Sequence, residues 1–373
     1  MALPSDGASG GASGGGRPRP RLDPVVAKAR NLVAALLGIS STGKVRPVPD
    51  PPLVLVACSG GPDSLALAAV AAFFAHRGEI RVGAVVVDHR MQPGSAAVAD
   101  AAARTLRGLG LDPVQIRAVD VEHDGAGPEA AARTARYGAL DAAAVELGAV
   151  VVLLGHTLDD QAESVLLGLA RGSGTRSLAG IRERRGSYLR PFLDLRRAET
   201  LAICEVLGLE PWHDPTNTDP AFTRSRARTV VLPFLEAQLG PGIAASLHRS
   251  ARILAADADY LDQLASDEFE RLVERVPVGV RTLPRLELRL PEDGLRGLAP
   301  ALRHRVLALA AVALGGNQPS FERLLAAEAL LARCGSAGPV ELAGKVTVSR
   351  ISRSQSIPHD GSSYGKLVFR RNA

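Results

Sequence analysis

Short apolar runs alternate with alanine-rich segments of helical length through the first half of the chain. Leu53-Val54-Leu55-Val56-Ala57 reads as a buried strand, and Leu65 to Ala72 as a helix close behind it. Val82 to Asp88, Val114 to Val119 and Val150 to Gly155 are further strand candidates, separated by helical segments near 96–109 and 129–147. Strands and helices alternating at this spacing predict an α/β fold on a doubly wound parallel sheet, with ligands at the carboxyl ends of the strands. Ahead of the first strand, Val25, Val26, Leu32, Val33, Leu36 and Leu37 recur at helical spacing within Leu22 to Ile39, which predicts a packed helix.

The pattern changes near Arg182, where arginine-rich loops begin. Trp212 to Pro233 is rich in Pro, Asp, Asn and Thr with little periodicity, and is expected to be a substrate-contacting extension. Apolar spacing returns in Ile243 to Leu264 and Leu298 to Leu314, so residues 240–335 read mostly as helices. The runs Val346-Thr347-Val348 and Leu367-Val368-Phe369 are β-like, flanked by Lys345, Arg350, Arg353, Lys366, Arg370 and Arg371, with Asp360 between them. The expected divisions are a disordered basic tail at 1–21, a nucleotide-binding catalytic domain at 22–235, a helical domain at 236–335 and a small β-like basic segment at 336–373.

Candidate chemistry collects at the strand ends. Ser59-Gly60-Gly61-Pro62-Asp63-Ser64 lies between the first strand and its helix. Adjacent glycines let the backbone approach a phosphate, the exposed N–H groups and helix dipole favour an anion, and two serine hydroxyls can donate. The Asp63 carboxylate suits such a site if a divalent cation lies between it and the phosphate, which points to a magnesium–polyphosphate complex. No Walker lysine follows, and no third glycine makes a dinucleotide fingerprint. Val87-Asp88-His89-Arg90 ends the second run, and the fourth leads into Gly155-His156-Thr157-Leu158-Asp159-Asp160-Gln161-Ala162-Glu163-Ser164. Asp159, Asp160 and Glu163 sit at a helix start and one turn into it, where carboxylates can cap the helix, hold magnesium, orient an amine or act as bases. His89 and His156 can touch nucleotide or substrate, or serve as hydrogen-bonded residues of the strand ends.

The 59–64 loop resembles the SGGxDS signature of the PP-loop ATP pyrophosphatases, which split ATP into AMP and pyrophosphate while adenylating a carbonyl oxygen. The segments at Val87 and Gly155 resemble the VDH and GHxxDDQAET elements that line the ATP site in the tRNA(Ile)-lysidine synthetase branch. Glu129 to Tyr137 is similar to its ARxxRY helix, with Arg133 and Arg136 on one face. Arg171 to Gly174, Leu178 to Gly180 and Arg190 to Leu193 look like further elements of that branch. Asp214 to Asp219, followed by Phe222, Arg224 and Arg228, is similar to its DxSNxDxxFxRNxxR element. The likeness spans residues 53–235. Gln92, Ser164, Thr216 and Ser225 stand where the branch has arginine, threonine, serine and asparagine.

Carried onto this chain, the resemblance implies ATP contacts from Ser59, Gly60, Gly61, Pro62, Asp63, Ser64, Asp88, His89, Gly155 and His156. It implies Mg2+ on Asp63 and Asp160, and catalytic roles for Asp63, Asp159, Asp160, Glu163, Arg133 and Arg228. Arg136, Arg224, Arg226 and Arg228 would contact tRNA, as would the helical domain. ATP is then a co-substrate, and the partners are tRNA(Ile) with a CAU anticodon and free L-lysine. The C2 oxygen of the wobble cytidine at position 34 is adenylated, and the lysine amine then expels AMP to leave lysidine. A homodimer is compatible with this reading. The alternatives are a tRNA thiolation enzyme on the same scaffold, a PP-loop amidotransferase acting on a small metabolite, and a nucleotide-binding module without catalysis.

Composition narrows the choice. With 373 residues, 46% of them hydrophobic, the chain can build two or three domains. A net charge of +5 is compatible with a nucleic-acid partner. Its four lysines are Lys28, Lys44, Lys345 and Lys366, so a lysine Schiff base or lysine phosphate clamp is excluded between 45 and 344. Cys58, Cys204 and Cys334 are scattered without a CxxC pair, which argues against a disulfide framework or structural metal and suits the reducing cytosol. Thiolation needs reactive cysteines or a cluster, and an amidotransferase needs a glutaminase cysteine that does not follow Met1. No apolar stretch reaches the ~18 residues of a membrane span, and residues 1–21 lack an apolar h-region, so a cytoplasmic protein with no membrane partner is expected.

Overall fold

The apolar runs of the first half form the centre of a six-stranded sheet. In the computed structural model, residues 22–43, 48–90, 92, 94–120, 128–215, 219, 221–278, 285–351 and 365–372 are described. The tail expected at 1–21, Thr216 to Thr218, Arg353 and Asp360 lie outside them. Helix α1 (Pro24–Leu37), capped by the Asp23 side chain, precedes β1 (Leu53–Ala57). There follow α2 (Pro62–His76), β2 (Arg81–Asp88), α3 (Ser95–Gly108), β3 (Val114–Ala118), α4 (Pro128–Leu147), β4 (Val151–Leu154) and α5 (Leu158–Ala170). Strands β3, β2, β1 and β4 lie side by side and parallel, Val54 pairing with Val82 on one side and Val151 on the other. The chain thus builds outward from β1 through β2 and β3, then crosses back to place β4 on the opposite side. That reversal opens a crevice at the carboxyl ends of β1 and β4.

Short helix α6 (Thr175–Leu178) precedes β5 (Arg184–Arg185) and β6 (Tyr188–Leu189), which extend the sheet beyond β4. Helix α7 (Arg197–Val206) follows. The stretch expected to be an irregular extension is helical from Thr223: α8 (Thr223–Arg226) runs through a π-helical turn at Ala227–Val231 into α9 (Leu232–Leu239). Pro233 sits in the first turn of α9, and the wider turn before it is the form that accommodates a proline lacking an N–H donor. Leu55, Leu65, Leu67, Phe74, Leu106, Leu153, Phe192 and Leu195 are fully buried. Helix α2 buries Leu65 to Ala68, Val70 to Ala72 and Phe74, which accounts for its apolar character on nearly every side.

The described chain divides into two compact units, one reaching to Leu167 and including Ile181–His248, the other comprising Gly168–Gly180 and the residues from Arg249 on. The second unit holds most of α10 (Ile243–Leu272), then β7 (Glu274–Val278), β8 (Arg285–Pro291), α11 (Glu292–Gly297), α12 (Pro300–Ala313), α13 (Phe321–Ala329), β9 (Val340–Glu341), β10 (Val346–Arg350) and β11 (Lys366–Arg371). Its sheet is antiparallel in the order β7-β8-β11-β10-β9. Two expectations are corrected here. Glu274–Val278 and Arg285–Pro291 are strands rather than helix, and in the second Leu286, Leu288 and Leu290 alternate with charged residues at period two. The division drawn at 335 falls inside this unit, because Leu288 of β8 pairs with Phe369 of β11 and both are fully buried. Two basic side chains of the last strand are ion-paired within the sheet, Lys366 to Glu274 and Arg370 to the buried Glu287. Among the described residues no single helix is long and apolar enough to cross a membrane.

Candidate active site

The loop after β1 is held by its own hydrogen bonds. Gly60 adopts φ +81°, a left-handed conformation suited to glycine, and its carbonyl accepts from Trp212 N at 2.9 Å. Ser64 Oγ donates to the Gly61 carbonyl at 3.0 Å and accepts from Ser59 N at 3.2 Å. The Ser64 hydroxyl therefore braces the turn, while Ser59 is exposed. Pro62 opens α2 without leaving an N–H unpaired. Gly155, at the end of β4, has no room for a side chain: a Cβ there would lie 2.9 Å from the Asp63 carbonyl and from Ser64 N. The end of β4 and the first turn of α2 meet in backbone contact beside the crevice.

Asp63 stands in the first turn of α2. Its Oδ1 accepts from Thr200 Oγ1, and its Oδ2 lies 3.5 Å from Arg197 Nε. Burial pushes this carboxyl above its usual range, against the pull of Thr200 and Arg197. On α5, the buried Asp160 places Oδ2 on Thr157 N at 2.8 Å and Thr157 Oγ1 at 3.0 Å. Its Oδ1 faces Arg197 Nη2 at 3.0 Å and Arg228 Nη2 at 3.4 Å. Burial opposes its charge, yet Arg197 and the other cations hold Asp160 below its ordinary value. Glu163, one turn on, has no exposed surface; Arg228 Nε lies 2.7 Å from Oε1 and Arg224 Nε 3.1 Å from Oε2. Three carboxylates and the guanidiniums of Arg197, Arg224 and Arg228 thus form one cluster.

The other expected residues divide around it. Arg224 and Arg228 are four apart on one helical face, and both reach Glu163. Arg226, two positions from each, is exposed and donates to the Ala221 carbonyl at 3.0 Å. Asp159 turns away from the cluster: its Oδ2 accepts from Arg197 N at 2.7 Å and its Oδ1 pairs with Arg196. That contact anchors the start of α7. Asp88 is similarly occupied, accepting from Arg90 N at 3.0 Å in a turn where Arg90 has φ +53°.

A second group presents buried donors and acceptors without protein partners. His89 Nδ1, His156 Nδ1 and Arg136 Nε are each buried and unpaired. Such atoms take their partner from outside the chain, an ordered water or a ligand. Burial pushes His156 down to about 3 and lowers His89 and Arg136 as well. His156 feels the charges of Asp160, Arg190, Arg136 and Arg224, so this group borders the acidic cluster. Arg133 is exposed, its guanidinium 5.1 Å from the centre of the Tyr137 ring, with Arg136 at 5.6 Å from the same ring. Arg190 fixes Tyr137 by donating to its hydroxyl at 3.3 Å.

Arg197 and Thr200 were not singled out from the sequence. The signal was faint but physical: Arg197 opens α7, where the helix dipole disfavours a cation unless carboxylates face it. Among the described residues no group of three or more His, Cys, Asp or Glu is gathered to hold a metal. A Mg2+ ion needs only one or two carboxylates when substrate phosphates complete its shell; Asp63 Oδ2, 3.5 Å from Arg197, fits that requirement, and Asp160 fits it where a guanidinium yields its Oδ1.

The PP-loop domain family matches residues 41–235, and with the loop at the β1 and β4 ends it places the chain in the PP-loop class. The chain is 50% identical over 319 residues to the tRNA(Ile)-lysidine synthase of Leifsonia xyli subsp. xyli, covering 85% of this chain and 94% of that protein. It is 52% identical over 281 residues to the tRNA(Ile)-lysidine synthase of Thermobifida fusca, covering 75% and 83%. Among solved structures, the U34-tRNA thiolase NcsA from Methanococcus maripaludis shares the fold, with a TM-score of 0.51 at 20% identity over 62% of this chain and 80% of that one. The chain belongs to the tRNA(Ile)-lysidine synthase family.

Proposed function

We propose that this protein is a C–N ligase that joins L-lysine to C2 of the wobble cytidine of tRNA(Ile) with a CAU anticodon. Half-identity to lysidine synthases over most of the chain supports the reaction. The observation that carries its placement is the carboxylate pair of Asp160 and Glu163 beside the nucleotide loop through Asp63. The loop's N–H groups receive the phosphates of ATP at the α2 N-terminus. Asp63, with Asp160 once a guanidinium yields its Oδ1, would hold Mg2+, which would offset charge on the phosphates. Arg136, His89 and His156, with their buried unpaired nitrogens, line the anionic side of the site. His156 is neutral there at physiological pH, so its imidazole offers a hydrogen bond without a formal charge.

The C2 oxygen of the cytidine attacks the α-phosphorus, the α–β bridging P–O bond breaks and pyrophosphate leaves. The ε-amine of lysine then attacks C2, the C–O bond to AMP breaks, and a proton is lost from nitrogen. Asp160 and Glu163 orient the amine, and a carboxylate there can accept that proton. Arg224 and Arg228 hold Glu163 in position, and the exposed Arg133 and Arg226 suit contact with RNA phosphates. Cys58 and Cys204 are buried, and burial raises both thiols, Cys204 to about 11, which suits packing better than thiolate chemistry. Isotope exchange between pyrophosphate and ATP tests the order of events. Exchange is expected with unmodified tRNA in the absence of lysine; exchange that needs lysine but not tRNA would show that lysine is the group adenylated.

A further inference from the structure

Glu163 is fully buried, and its partners are all guanidiniums. Arg228 reaches it through Nε at 2.7 Å and Nη2 at 3.1 Å, Arg224 through Nε at 3.1 Å, and Arg197 lies 3.5 Å from Oε1. Asp160 commits one oxygen to Thr157 and the other to Arg197 and Arg228. Of about four acceptor positions on each carboxylate, those of Asp160 are all taken and Glu163 accepts three hydrogen bonds, so an ammonium that bridges the two must take a guanidinium's place on Asp160. Charge favours the same exchange. Asp63, Asp160 and Glu163 already face Arg197, Arg224 and Arg228, so an ammonium gains most where one of those guanidiniums gives way.

Arg197 reaches all three carboxylates, so its departure clears Asp160 and Glu163 together. Its contact with Glu163 is longer than those of Arg224 and Arg228, and it also faces the nucleotide loop through Asp63 at 3.5 Å. Its backbone is fixed separately, since Arg197 N donates to Asp159 and Thr200 of the same turn donates to Asp63. The side chain can therefore move without moving α7. Resting on the function proposed above, we propose that Arg197 is a positioning residue that couples the two small substrates. Its guanidinium fills the ammonium's place beside Asp160 and Glu163, and the triphosphate arriving beside Asp63 draws it away and opens that place to lysine. The affinities for nucleotide and lysine must then strengthen one another by the same factor.

Equilibrium dialysis of labelled L-lysine against the full chain in Mg2+, with and without α,β-methylene-ATP, tests this. The analogue is expected to lower the lysine Kd by about tenfold, and saturating lysine to lower the analogue's Kd equally. In Arg197→Met, lysine should bind more tightly than to wild type when no analogue is present, and the ratio should fall to about twofold or less. Arg197→Lys, which keeps a cation but loses the planar fork, should reduce the ratio as well and serves if the methionine variant does not fold. A wild-type ratio near one, or a ratio unchanged in the folded variants, overturns the inference while leaving the ligation reaction intact. Analogue binding with no lysine binding under either condition overturns the functional reading and the inference together.

Discussion

Replacing Glu163 by glutamine keeps the shape of a fully buried side chain and removes its charge. The carboxylate accepts Arg228 Nε at Oε1, and Arg224 Nε and Arg228 Nη2 at Oε2. Whichever way the amide turns, its NH2 group meets at least one guanidinium N–H, so one hydrogen bond becomes a donor–donor contact. Removing one partner of a buried ion pair costs ~3–5 kcal/mol. The Arg224 and Arg228 side chains retain 29% and 25% exposure, so water relieves part of this and the expected loss is about 2–3 kcal/mol. For a unit of this size that corresponds to a fall of roughly 4–12 °C in the unfolding temperature, read by circular dichroism of the full chain. Replacing Arg228 as well, Glu163→Met with Arg228→Met, should recover only part of that stability, since Arg224 still loses its carboxylate. Lysidine formation should fail in both variants. A Glu163→Gln unfolding temperature within about 1 °C of wild type, well under the shift for 1 kcal/mol, would refute the reading of this cluster as a mutually dependent set of charges.

Asp63→Asn is expected to fold normally, because burial already disfavours the charge it removes, yet to abolish pyrophosphate release; near-normal turnover would remove Asp63 from the metal site. His156, at about 3 against 6.5 when exposed, refuses a proton that the unfolded chain binds, so its contribution is complete above about pH 6.5 and lost as pH falls toward 3, by up to ~1.4 kcal/mol per pH unit. Denaturant titrations of His156→Asn across that window should show a shallower pH slope, and an unchanged slope would contradict burial as the cause. Replacing Cys58, Cys204 and Cys334 together by alanine should preserve product formed per folded molecule, with some stability lost from the two buried sites; a folded variant that forms no product would favour thiol chemistry.

The central strands were legible because parallel strands covered on both faces appear as unbroken apolar runs, as in Leu53 to Ala57. Strands β5 and β6 span two residues each, too few for any period to show. The β8 alternation was present in the sequence but surrounded by helical segments. In the site, Asp63, Asp160 and Glu163 could be located because they follow strand ends, where a crossover sheet concentrates its ligand contacts. The turning of Asp159 toward Arg196 and Arg197 depends on α7, which is distant in sequence and packs beside the site only in the fold. The same is true of Arg197 and Thr200. The separation of Arg226 from Arg224 and Arg228 follows from helical spacing, which becomes visible once Thr223 to Leu239 is recognised as helix.

Mass spectrometry of nucleosides from unmodified tRNA(Ile) with a CAU anticodon, incubated with the full chain, ATP, Mg2+ and L-lysine, reads the proposed ligation itself. The expected result is a cytidine adduct carrying the mass of lysine less water at the wobble position, dependent on both ATP and lysine, with one AMP and one pyrophosphate released per adduct. Unchanged cytidine with a competent tRNA, or a wobble base that gains sulfur instead of lysine, would contradict it.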